Sequence, residues 1–207
     1  MVDRNGAFAT LERKSSTLYL LAAVVMVVFL ANTALRTYQG TSFPAVQQFV
    51  APAGFLIGLL GLVGLYPQLS KRARRLAQVS LGVAVVSALN WLAIVIAGIL
   101  ETGGVIPENA TLQAITGVLA LFSMVFAYGL FGITSALTGA YRRVISGLLL
   151  LEAVTFVAMV ANSAAAIGVP VIVFEVSHLI VYLGLGVIHR DNGTPTDRTD
   201  SATDPTM

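Results

Sequence analysis

Apolar residues in this chain run in long blocks broken by short polar stretches. They show neither the strict alternation of a half-buried strand nor the single stripe of a surface helix. Crossing a bilayer as a helix takes about 20 mostly apolar residues. Six blocks meet that length, at roughly 17–35, 47–66, 76–100, 112–136, 144–167 and 171–188. The pattern predicts an all-α, polytopic integral membrane protein of six transmembrane helices. A polar segment at 1–16 precedes the transmembrane domain at 17–189, and a tail at 190–207, rich in Thr, Asp and Pro, is expected to be disordered.

Several spans carry a face of small residues. Gly54, Gly58 and Gly61 share one side of the second span, which permits close backbone approach. Ser80, Ala84, Ser87 and Asn90 line one side of the third, and Thr116, Ala120, Ser123 and Ala127 one side of the fourth. Such faces are expected to turn into the bundle, because lipid offers no partner for a hydroxyl or an amide. The short Gly168-Val169-Pro170 connection makes the fifth and sixth spans antiparallel neighbours. Sliding the region around Gly61 by 68 positions aligns Gly61 with Gly129, Gly64 with Gly132 and Arg74-Arg75 with Arg142-Arg143. This suggests a parallel hairpin repeat of helices 2-3 and 4-5, unlike the inverted repeats of many transporters.

Charge orients the bundle. The cluster Lys71-Arg72-Ala73-Arg74-Arg75 sits between the second and third spans, and basic loops stay cytoplasmic. With six spans, both termini and Arg142-Arg143 fall on that same side, so 11 of the 12 Lys and Arg residues are inside and only Arg36 is outside. The expected topology is therefore N-in/C-in in a cell membrane. With 57% of the 207 residues hydrophobic and 11% charged, no soluble catalytic domain fits in the remainder. The net charge of +2 comes from loop arginines rather than a basic face, which argues against a nucleic-acid partner. The chain has no cysteine, so disulfides, thiolate nucleophiles and thiolate-bound metals are excluded.

The remaining chemistry lies in ionisable groups inside the spans. A charge at the bilayer centre costs about 2.5–3.5 kcal/mol even on insertion scales and by default marks a functional site. Glu175, His178 and Tyr182 fall at i, i+3 and i+7, one polar stripe on the sixth span. Glu152, Thr155, Asn162 and Ser163 share a face of the fifth. Counting helical rise from the external ends places Asn32, Asn90, Asn162, Glu175 and His178 in the outer half and Glu152 deeper. Arg36, on the same face of the first helix as Asn32, is expected to approach Glu175. Together these residues suggest a polar layer for relaying a proton or binding a small solute, inside a hydrated cavity.

Three other readings bear on the same residues. Buried Asn, Ser and Thr also serve simply to join helices, which suits a non-catalytic membrane subunit or scaffold. The Glu-x-x-His spacing of Glu175 and His178 occurs once, where di-iron bundles need it on two helices, so no metal or other cofactor is expected. A haem- or quinone-linked redox subunit is disfavoured because His178 and His189 share one helix, about 16 Å apart along it. No hydrolase, zinc-protease or phosphate-loop motif is present, so an enzyme is not expected. The expected partners are the lipid bilayer, a proton or small solute, and further copies of the chain.

Overall fold

The computed structural model describes residues 4–107 and 110–191. Among these the only regular secondary structure is helix, and six helices are long and apolar enough to cross a membrane. Helix α1 (Arg4–Gln39) is the longest, at 36 residues or about 54 Å, and exceeds the hydrocarbon thickness. Residues 4–16, read from sequence as a polar lead-in, belong to this helix rather than preceding it.

The second span is built in pieces. A π-helical turn (Val46–Val50) leads into α2 (Ala51–Val63), and a break at Gly64 and Leu65 separates that from α3 (Tyr66–Arg72). Pro67 stands in the first turn of α3, where a missing N–H costs nothing, and Pro52 comes just after the π-helical turn. The basic cluster contains the next break: Ala73 leaves helical geometry at φ −146° and ψ 76°, and α4 (Arg74–Thr102) begins behind it. Then follow α5 (Ala110–Thr138), α6 (Arg143–Ala165) and α7 (Val171–Asp191). Arg190 and Asp191, expected in the tail, complete α7, and residues 192–207 lie outside the described residues.

Each span packs on the ones before and after it, and α7 closes against α1, so the six form a ring. The second span is the most buried, because its glycines let neighbours reach its backbone. A Cβ at Gly58 would lie 3.0 Å from the hydroxyls of Tyr128 and Tyr182, and one at Gly61 would lie 3.2 Å from the ring of Tyr19. The glycine face expected from the sequence is thus where three tyrosines enter the middle of the ring.

Hydroxyl pairs join the walls. Ser87 and Ser123 meet at 2.8 Å and Ser80 and Thr134 at 3.3 Å between α4 and α5, uniting the two small-residue faces read from the sequence. Ser135 and Ser146 meet at 2.7 Å between α5 and α6, and Thr155 and Ser177 at 2.9 Å between α6 and α7. Ser15 donates to the Gly61 carbonyl and Ser16 to the Gly186 carbonyl, tying α1 to α2 and to α7. The outside of the ring is apolar, with Val24, Val86, Phe126 and Val154 about 60% exposed, which suits contact with lipid tails.

Candidate functional site: a buried Glu-His pair on a tyrosine-lined axis

The sixth-span stripe faces inward as its spacing requires: Glu175, His178 and Tyr182 are 2%, 1% and 0% exposed. Glu152 on α6 is likewise 0% exposed, and its Oε1 lies 2.9 Å from Nδ1 of His178. A carboxylate and an imidazole at this distance share one proton, donated by Nδ1 when Glu152 is ionised and by the carboxyl when His178 is neutral at Nδ1. Oε2 of Glu152 and Nε2 of His178 are buried with no hydrogen-bond partner.

Aromatic rings enclose the pair. The imidazole lies 4.5 Å from the ring of Phe156 and 5.4 Å, edge-on, from that of Phe55, whose other side meets Trp91 at 4.9 Å. Next come Tyr128, 6.3 Å from Phe156, then Tyr182 at 6.4 Å from Tyr128 and Tyr19 at 6.3 Å from Tyr182. All three tyrosine hydroxyls are buried without a hydrogen bond of good geometry among the described residues, and that of Tyr182 lies close to Tyr128 and Glu152. Because Gly58 precedes Gly61 along α2, this series steps from the Glu152–His178 pair toward the end of the bundle that carries the basic residues. On the other side, Glu175 Oε1 accepts a 2.7 Å hydrogen bond from the Thr33 hydroxyl of α1, while Oε2 has no partner.

Two expectations about this region are corrected. Glu152 is not a separate, deeper station, since it touches His178 directly. The loop between the helices explains the error. Asn162 holds Val169 at both backbone groups, donating to its carbonyl at 3.0 Å and accepting from its N–H at 2.9 Å. The turn therefore folds back beside α6, with Ala166 in the left-handed region at φ 49°. With the turn folded back, Glu152 and His178 reach the same level, where their side chains meet. The second correction concerns Arg36, which is exposed and does not pair with Glu175. Its carboxylate takes a neutral hydroxyl from α1 instead.

The asparagines divide differently from the expected polar layer. Asn32 is buried, but its Oδ1 accepts from the backbone N–H of Phe43 at 2.8 Å and so anchors the loop after α1. Asn162 closes its own loop, as described. Asn90 is half-buried on α4. The sequence reading overlooked Tyr19, Tyr128, Phe55, Phe156 and Thr33. A signal was available for Tyr128, because tyrosines gather at membrane interfaces and this one stands deep within its span.

The chain matches no family model, and neither curated proteins nor solved structures give a match.

Proposed function

We propose that the bundle carries protons across the membrane, with the Glu152–His178 pair as the central station. One observation carries the reading: the pair is continued along α7 by Glu175 toward one end and by Tyr182 toward the other, and Tyr128 and Tyr19 extend the series. Each of these residues has a buried oxygen or nitrogen still able to take or give a hydrogen bond. Aromatic rings fill the axis between them, so a cargo that passes from group to group needs no wider passage than a proton does. Buried ionisable groups inside a span mark functional sites by default, proton relays among them, since their desolvation must be repaid by function or by pairing.

The test is proton flux in vesicles. Purified protein reconstituted with a pH-sensitive dye inside is expected to acidify the lumen when a gradient is imposed. Glu175→Gln and His178→Ala should each abolish the flux, and Tyr182→Phe should cut it at least tenfold. Wild-type flux equal to empty vesicles would end the proposal.

A non-catalytic subunit or scaffold is the second reading. The Ser87–Ser123, Ser135–Ser146 and Thr155–Ser177 pairs favour it, because they join helices with no ionisable group involved. A wild type without flux, with variants at Glu175 and His178 that melt early, would select it.

A further inference from the structure

A cleft of about 850 Å³ opens at the basic end of the ring, outside the Glu152–His178 site. Its wall carries Arg13 from α1, Arg142 from the connection between α5 and α6, and His189 and Arg190 from the end of α7. Tyr141 completes it, held by a 3.0 Å hydrogen bond from its hydroxyl to the Leu65 carbonyl and lying 6.0 Å from the His189 ring. Burial, and after it the neighbouring Glu12 carboxylate, pushes the Tyr141 phenol well above the ordinary tyrosine range, so it remains a neutral donor. Nδ1 of His189 is buried with no hydrogen-bond partner.

Basic residues at this end are expected from membrane orientation alone, but orientation does not ask them to converge. Lys71, Arg72, Arg74 and Arg75 meet the same requirement and do not line the cleft. The three arginines that do come from three separate elements, and among the described lining residues Glu12 is the carboxylate beside them. Guanidinium forks match the geometry of phosphate oxygens, and a volume of this size accommodates a small ligand.

We infer that this cleft binds a phosphate-bearing anion, either the headgroup of an anionic lipid or a free phosphate compound. Basic pockets between transmembrane helices on the cytoplasmic side take such headgroups, and this is the side to which the charge pattern assigns the cleft. The inference is independent of proton transport.

Thermal unfolding of the full chain tests it in two arms. In detergent, sodium pyrophosphate is titrated against sodium chloride at equal ionic strength. In nanodiscs, phosphatidylglycerol is compared with phosphatidylcholine. A saturable rise in midpoint is expected in at least one arm, pyrophosphate identifying a soluble ligand and phosphatidylglycerol alone a lipid one. Arg142→Gln with Arg190→Gln should weaken the response at least tenfold in concentration or remove it, and Thr17→Glu, an exposed change on the same wall, should do likewise. Arg74→Gln with Arg75→Gln should leave it intact. A response in neither arm, or one lost equally in the Arg74 and Arg75 variant, overturns the inference.

Discussion

His178 and Glu152 belong to adjacent antiparallel helices and meet at 2.9 Å in a region closed to solvent, with one polar atom of each left unpartnered. Removing one member strands the other in an apolar setting, and breaking a buried pair this way typically costs about 3–5 kcal/mol. Removing both strands neither. Glu152→Ala and His178→Ala are each expected to lower stability strongly, while the double variant loses clearly less than the two together. A double-mutant cycle on detergent-solubilised protein measures the coupling; additive losses would mean that the contact contributes nothing.

The hydroxyls of Tyr128 and Tyr182 are buried close to each other, and that of Tyr182 close to Glu152, but none of these contacts has good hydrogen-bond geometry among the described residues. A group in that state has already lost its water without compensation, so taking the oxygen away removes a penalty of about 1–3 kcal/mol. Tyr128→Phe and Tyr182→Phe should therefore unfold at the same temperature as the wild type or higher. This separates stability from transport: a Tyr182→Phe protein that melts normally and conducts poorly cannot be dismissed as misfolded. A marked fall in its melting temperature would show that the hydroxyl has a partner.

The architecture was legible because apolar block length responds directly to bilayer thickness, and six blocks became six helices. The inward face of α7 was legible too, since i, i+3 and i+7 spacing survives any arrangement of neighbours. Depth was not. Counting from helix ends assumes level ends, and the fold-back that Asn162 imposes on Val169 brings Glu152 up to His178. Partner choice was equally hidden: Arg36 and Thr33 lie one turn apart on α1, and only the packing of α1 on α7 decides that Thr33 meets Glu175. Asn32 and Asn162 look like lining residues in sequence because a buried amide has the same signature whether it faces a cavity or a loop backbone.

Asn162 is accordingly expected to act on the turn. Its two hydrogen bonds to Val169 are lost in Asn162→Ala, at a cost of about 1–3 kcal/mol. Hydrogen exchange should quicken at Val169 and along the first turn of α7. Proton flux at a temperature where the variant is folded should match the wild type; a selective loss of flux would return Asn162 to the conducting path.

The glycines offer the sharpest test of how the ring is closed. At Gly58 a methyl group would stand 3.0 Å from both tyrosine hydroxyls, and at Gly61 3.2 Å from the Tyr19 ring, whereas at Gly82, Gly117 and Gly147 it would meet nothing within 4 Å. In the open positions alanine should stabilise the helix, by up to about 1 kcal/mol. At Gly58 that gain competes with overpacking, which costs about 1–3 kcal/mol, and the rings have little room to retreat because Tyr182 packs between Tyr128 and Tyr19. Gly58→Ala should thus be destabilising and Gly82→Ala neutral or better. The atoms that obstruct are mainly hydroxyls, so adding Tyr128→Phe and Tyr182→Phe to Gly58→Ala should restore part of the loss. If Gly58→Ala and Gly82→Ala melt alike, the tyrosines do not press on α2, and the column of rings that links the Glu152–His178 pair to the basic end would have to be redrawn.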